Sequence, residues 1–77
     1  MINVLVVEDD PMVAKLNEHY LAQIKGFELC DMCRNGDEAL RLLQSRSYDL
    51  LILDVLVYRL YVGQDQNMFY NMLLYLK

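Results

Sequence analysis

Histidine and cysteine, the side chains that most often bind transition metals, are scarce in this 77-residue sequence. His19 is the one histidine, and with no second histidine or cysteine close by in sequence we predict a solvent-facing helical residue. Cys30 and Cys33 form a Cys-x-x-Cys, but no second cysteine pair completes a zinc site. They fall on a predicted strand, where residues three apart point to opposite faces, so we predict structural cysteines.

Basic residues are also few. Seven lysines and arginines stand against eleven aspartates and glutamates, and the formal net charge is −4. Direct contact with nucleic acid is therefore not expected of this segment. The sequence does not open with a signal peptide, and no run of about 18 apolar residues is uninterrupted. We predict a cytoplasmic protein without a membrane contact.

Apolar side chains are abundant, at 56% of the residues. That share excludes a disordered chain and indicates a folded one that binds partners or aggregates. A chain of this length makes at most one small domain with a modest core.

The first third of the sequence predicts a strand followed by a helix. Ile2–Val7 is a continuous apolar, β-branched run, typical of a strand buried on both faces. Asp10 is placed to cap a helix that has Pro11 as its first residue. Lys25-Gly26 is a typical helix end. The helical spacing between these signals is carried by Val13, Leu16, Tyr20 and Ile24.

Two more strands and a second helix follow. Residues 27–32 form a strand, Asn35-Gly36 makes a turn, and Asp37 is placed to cap a helix. The apolar residues of that helix are Ala39, Leu40 and Leu43. Residues 49–54 form a third apolar strand. Because strands joined through helices run parallel, the order β-α-β-α-β predicts the opening half of a doubly wound α/β fold.

Carboxylates gather where two of these strands end. Glu8 and Asp9 follow the first strand and Asp54 ends the third, and these strands are neighbours in the flavodoxin-like order. Like charges 4 Å apart repel by about 4 kcal/mol. Two arrangements would relieve this repulsion. Either one carboxylate keeps a proton, or a divalent cation lies among the carboxylates, and their oxygen ligands favour Mg²⁺. Capping of the first helix and compensation of its dipole would fully explain the presence of an acid at Asp10 and partly explain one at Asp9. They would not explain the acid at Asp54.

Three sequence motifs resemble the landmarks of response-regulator receiver domains, in the right order. They are Val4-Leu5-Val6-Val7-Glu8-Asp9-Asp10-Pro11, Asn35-Gly36-Asp37-Glu38-Ala39-Leu40 and Tyr48-Asp49-Leu50-Leu51-Ile52-Leu53-Asp54-Val55. The first residues are most similar to the subgroup that responds to citrate and C4-dicarboxylates.

The resemblance implies that the chain has a signalling role in a two-component phosphorelay and is not an enzyme. Asp54 would accept a phosphoryl group from a sensor histidine kinase. Glu8, Asp9, Asp54 and the backbone carbonyl of Leu56 would hold Mg²⁺. An Mg²⁺-dependent phosphatase-like enzyme is an alternative, but it would need a second acid two residues after Asp54, where Leu56 stands.

The resemblance covers residues 1–55, and residues 56–77 depart from it. The family has a Met-Pro pair and a glycine after the phosphoacceptor, then a hydroxyl residue and a lysine on two later strands. None of these is found here. We therefore expect a partial receiver domain followed by a divergent tail, and we hypothesise a frameshift near codon 55. The third strand would then be an apolar edge, prone to self-association.

The tail itself has one helical pattern. Asp65 is placed to cap a short helix from about residue 66, whose apolar stripe is Met68, Phe69, Met72, Leu73 and Leu76. This stripe predicts either a packing face within the chain or a surface for a partner or a second copy. If the switch residues are absent, the chain would be a binding or dimerising fragment rather than a working receiver.

Overall fold

A computed structural model of the protein describes residues 1–53, which form a parallel three-stranded sheet with a helix on each face. In chain order the elements are β1 (Ile2–Val7), α1 (Pro11–Ala22), β2 (Phe27–Cys33), α2 (Gly36–Ser45) and β3 (Leu50–Leu53). The strand order is β2-β1-β3. The predicted β-α-β-α-β order, the parallel sheet and the neighbouring first and third strands are confirmed. Asp54, Leu56 and the tail helix predicted from about residue 66 lie outside the described residues.

Strand β1 is the central strand of the sheet. It pairs with β2 on one side and with β3 on the other, and Val4 through Val7 have no exposed surface. Leu5 and Val7 pack with Ala39 and Leu43 of α2, whereas Val4 and Val6 pack on the opposite face with Leu21 of α1. The continuous apolar run therefore exists because both faces of this strand are covered, as predicted.

Helix α1 begins as the sequence predicts. The Asp10 carboxylate accepts a hydrogen bond from the Met12 N–H at 2.9 Å, and Pro11 is the first helical residue. The prediction that Asp37 caps the second helix was wrong. Asn35 is the cap, since its side-chain oxygen accepts from the Glu38 N–H at 2.9 Å, and Asp37 lies in the first turn. The Glu38 carboxylate in turn accepts from the Arg34 N–H at 3.0 Å, which holds the chain entering the helix.

The apolar stripe that predicted α1 is not the face that α1 buries. Leu21 is the one residue of α1 that is buried, while Leu16 and Tyr20 are 50% and 59% exposed. The helix also ends at Ala22, before the predicted Lys25-Gly26 signal. Gly26 still has a special backbone conformation, with φ at +93°, at the turn into β2. None of the helices within residues 1–53 is long and apolar enough to cross a membrane.

A β-bulge interrupts the regular alternation of β2. Val4 pairs with Leu29 and Leu5 pairs with Asp31, so Cys30 is an extra residue without a partner in β1. Before the bulge, Leu29 packs on the α1 face, and after it Cys33 packs on the α2 face. The prediction that the two cysteines point to opposite faces assumed that side chains alternate without interruption along the strand. The bulge at Cys30 interrupts this alternation, so that reasoning does not apply. Both thiols are free, Cys30 exposed and Cys33 buried.

A polar cluster ties β2 to the segment before β3 on the α2 face. Tyr48 is 1% exposed, and its hydroxyl donates a short hydrogen bond to the Asp31 carboxylate. Arg46, which caps the end of α2, donates to both oxygens of the same carboxylate at 3.0 and 3.2 Å. Burial, then the hydrogen bond and the charge of Asp31, raise the pKa of Tyr48 well above its usual value, so the hydroxyl stays a donor.

Candidate functional site at the carboxyl end of the sheet

The carboxyl end of β1 carries the first two predicted site residues. Glu8 directly follows Val7, and its backbone N–H donates to the Cys33 carbonyl at 2.9 Å, which extends the pairing of β1 with β2 by one residue. The Glu8 side chain is buried, at 6% exposed, whereas Asp9 is exposed. Asp10 is occupied as the cap of α1. The three consecutive acids therefore have three different environments, and only Glu8 and Asp9 are left at the sheet end.

The third predicted site residue comes next in sequence after a strand that ends at the same edge. Leu53 is the register partner of Val7 in the parallel pair of β1 and β3. Val7 and Leu53 therefore lie at the same end of the sheet, and in the sequence Glu8 follows the first and Asp54 follows the second. The structure describes the chain as far as Leu53, and the predicted roles of Asp54 and Leu56 stay predictions.

A cavity of about 280 Å³ opens beside the two acids, between α1 and the end of β2. Its walls are mostly apolar, and charged side chains of both signs stand around it. The lining residues are Glu8, Asp9, Pro11, Ala14, Lys15, Glu18, Met32, Cys33 and Arg34.

Sequence reasoning missed two cations at this cavity. Lys15 and Arg34 line it together with Glu8 and Asp9. A signal for Lys15 was present, because positions 11, 14, 15 and 18 share one flank of a helix that starts directly after the acids. Arg34 had no such signal, because its place depends on how β2 pairs with β1.

The thiol at the cavity wall is held in its neutral form. Burial, followed by the negative charges of Glu38 and Asp31, raises the pKa of Cys33 to about 11. A thiol with so high a pKa is a poor nucleophile and a poor metal ligand at neutral pH. This agrees with the prediction of a structural cysteine at position 33.

The donor set of the described residues fits a hard cation, but only as half of a site. Within residues 1–53 no group of three His, Cys, Asp or Glu side chains is placed to hold a metal ion. Glu8 and Asp9 supply two carboxylates at the sheet end, and Mg²⁺ is commonly bound by one or two protein carboxylates with water completing its shell. The remaining predicted ligands, Asp54 and the Leu56 carbonyl, belong to the part that the structure does not describe.

Comparison with known proteins agrees with this geometry. The model of the response regulator receiver domain matches residues 4–60, which is most of the chain. The chain belongs to the response regulator receiver family. Receiver domains are the signalling domains of two-component response regulators, so the family predicted from the three motifs is confirmed.

Curated relatives in this family agree on the subgroup as well. The transcriptional regulatory protein MalR of Bacillus subtilis is 51% identical over 55 residues, covering 71% of this chain and 23% of MalR. The probable C4-dicarboxylate response regulator DctR of the same species is 42% identical over 52 residues, covering 68% of the chain and 23% of DctR. The transcriptional regulatory protein DcuR of Escherichia coli is 42% identical over 57 residues, covering 71% and 24%.

These relatives are much longer than the chain, which spans about a quarter of their length. No solved structure matches the chain. The similarity therefore concerns the receiver segment, in which the acids after β1 lie.

Proposed function

We propose that the chain is the phosphoacceptor segment of a two-component response regulator, in which Asp54 accepts a phosphoryl group from a sensor histidine kinase with the help of Mg²⁺. The observation that carries the proposal is the register of β1 with β3. It brings Leu53 to the same end of the sheet as Val7, from positions far apart in sequence, and Glu8 and Asp54 are the residues that follow these two in the sequence. Membership in the receiver family supports the same role.

The chemistry assigns a part to each group. The Asp54 carboxylate would attack the phosphorus of a phosphohistidine, and the imidazole would leave as the phosphoaspartate forms. Mg²⁺, bound by Glu8, Asp9, Asp54 and the Leu56 carbonyl, would offset the negative charge that Asp54 and the phosphoryl oxygens bring together. Burial of Glu8 supports its role, because a fixed carboxylate holds a cation with less loss of side-chain freedom.

A thermal unfolding series with and without millimolar Mg²⁺ tests the metal site. A ligand that binds only the folded state raises its stability, so Mg²⁺ should raise Tm in the unaltered chain. The shift should disappear in Asp9→Asn and Asp54→Ala and persist in Asp37→Asn, a carboxylate that lies in the first turn of α2. An equal shift in all four proteins would contradict the assignment of the ligands.

Phosphoryl transfer is tested separately by intact mass. Incubation with a small acyl phosphate and Mg²⁺ should add one phosphoryl group to the unaltered chain and none to Asp54→Ala. Acid-labile modification that survives in Asp54→Ala would show that another residue is the acceptor.

A second candidate function is a binding or dimerising piece that does not switch. Within residues 1–53, β3 pairs with β1 on one side, and no strand pairs with its other edge. Leu50 of β3 is 37% exposed. An uncovered strand edge of this kind can pair with another chain. We propose that the chain self-associates through this edge or through the tail after residue 55. Light scattering over a range of concentrations tests it, and a monomer at all concentrations would exclude it. The first proposal, phosphoryl transfer to Asp54, includes a cytoplasmic location for the chain, because sensor kinases transfer phosphate there.

A further inference from the structure

The pairing of β1 with β3 joins two strands that are apolar on both faces. Val4–Val7 of β1 are fully buried and pair in register with Leu50–Leu53 of β3. Leu51 and Leu53 pack on the α2 face of the sheet, and Ile52 packs on the α1 face. Register is normally enforced because a slip of one residue turns apolar side chains outwards. Here such a slip exchanges one apolar residue for another, so these residues do not choose the register.

The connection into β3 does not choose the register either. Residues 46–49 join the end of α2 at Ser45 to the start of β3 at Leu50. A slip of one residue moves a strand by about 3.3 Å, a distance that a connection of this length absorbs. The polar residues that border the paired strands are therefore left to set the register.

Asp49, the residue directly before β3, is bonded to β1 twice. Its backbone N–H donates to the Asn3 carbonyl at 2.8 Å, and its carboxylate oxygen Oδ2 accepts from the Asn3 N–H at 2.8 Å. The carboxylate thus takes the place of the backbone carbonyl that a parallel strand presents to such an N–H. A charged acceptor makes this hydrogen bond about twice as strong as one between neutral groups. Both backbone groups of Asn3 are held by one residue, immediately before the pair of Val4 with Leu50.

We propose that Asp49 is a positioning residue, whose carboxylate fixes the register of β3 on β1 through the backbone of Asn3. The fixed register places Leu53 opposite Val7, so the two strands end side by side. In the sequence, Glu8 and Asp54 follow these two residues. The purpose of the alignment rests on the proposed phosphoacceptor function, whereas the register itself is measured without it.

Nuclear Overhauser effects between backbone protons of β1 and β3 in the full chain measure the register. In the unaltered chain they should link Val4 to Leu50 and Val7 to Leu53. In Asp49→Ala these contacts should be lost or displaced by one or two residues, while the contacts between β1 and β2 persist. Asp49→Asn should keep the register, because its amide retains an oxygen that accepts a hydrogen bond.

Tyr48→Phe is the matched control for a loss of stability. The Tyr48 hydroxyl donates to Asp31 of β2 from the tip of a long side chain, so its removal destabilises the fold without freeing β3 from Asn3. The register should be the same as in the unaltered chain. The rise of Tm with Mg²⁺ should likewise persist in Tyr48→Phe and Asp49→Asn and be lost in Asp49→Ala, a difference that a loss of stability alone would not produce.

Unchanged contacts between β1 and β3 in Asp49→Ala would overturn the proposal. An equal displacement in Tyr48→Phe would also overturn it, because the register would then follow stability in general. If Asp49→Ala loses the contacts between β1 and β2 as well, it has not folded, and Asp49→Asn decides. Loss of the charge should speed exchange of the Asn3 amide proton at least about threefold, and unchanged exchange would show that the carboxylate does not hold this amide. If Mg²⁺ does not raise Tm in the unaltered chain, the proposed metal site is refuted, and the backbone contacts still decide the register.

Discussion

Replacing Tyr48 with phenylalanine removes one buried hydroxyl and leaves the ring in place. That hydroxyl donates to the Asp31 carboxylate, and Tyr48 itself is 1% exposed. A hydrogen bond to a charged group contributes about 1.5–3 kcal/mol. Arg46 keeps its bonds to the same carboxylate, but its side chain is 62% exposed. Water screens this ion pair, so it replaces little of the stability that is lost with the hydroxyl. We expect Tyr48→Phe to lower the free energy of unfolding by about 2 kcal/mol.

Urea unfolding followed by far-UV circular dichroism measures this loss. The midpoint should fall while the slope m stays unchanged, because the substitution removes a bond without altering the surface exposed on unfolding. Tyr20→Phe is the matched control, since the side chain of Tyr20 is 59% exposed, and its change should stay within about 0.5 kcal/mol. A loss below about 0.5 kcal/mol for Tyr48→Phe as well would refute the view that the Asp31 cluster stabilises the fold.

Three further predictions concern stability. Asn35→Ala should lower the free energy of unfolding by about 1 kcal/mol in urea, and Asp37→Ala by clearly less, because Asn35 is the cap of α2; the reverse order would restore the sequence-based assignment. Leu21→Ala should lower it by about 2–5 kcal/mol and Met12→Ala, at a residue 77% exposed, by less than about 0.5; equal effects would show that α1 does not pack through Leu21. The Cys33 thiol has a pKa raised from 9.0 to about 11, so the unfolded chain loses this proton first and stability should fall as pH rises above about 9. Between pH 9.0 and about 11, Tm should fall less steeply in Cys33→Ala than in the unaltered chain. An identical slope in the two proteins would count against this role of the thiol.

Much of the fold could be predicted because its signals are local. The apolar run of β1 and the Asp10-Pro11 start of α1 each depend on a few adjacent residues, and both were confirmed. The parallel direction of the strands followed from the rule that strands joined through helices run parallel, and the neighbouring positions of β1 and β3 followed from the flavodoxin-like strand order. This is also why Glu8 and Asp9 could be picked as site residues from the sequence.

The features that sequence reasoning missed depend on contacts between distant segments. Asn35 and Asp37 are both good helix caps, and the choice between them depends on where β2 ends. The bulge at Cys30 depends on the pairing of β2 with β1, which no local pattern encodes. Periodicity in α1 predicted a helix correctly but could not say that Leu21 would face the sheet while Leu16 faced away.

The central place of β1 has a consequence during synthesis of the chain. β1 is made first, yet its partner strand β3 ends at Leu53, and the backbone groups of Asn3 are paired with Asp49. At translation rates of about 5–20 residues per second, β1 waits roughly 2–9 seconds for this partner. During that time four side chains that are fully buried in the finished fold, Val4 through Val7, are without their final cover. The nascent chain therefore offers a short apolar segment to chaperones before the receiver sheet can close, and its yield in cells should depend on them.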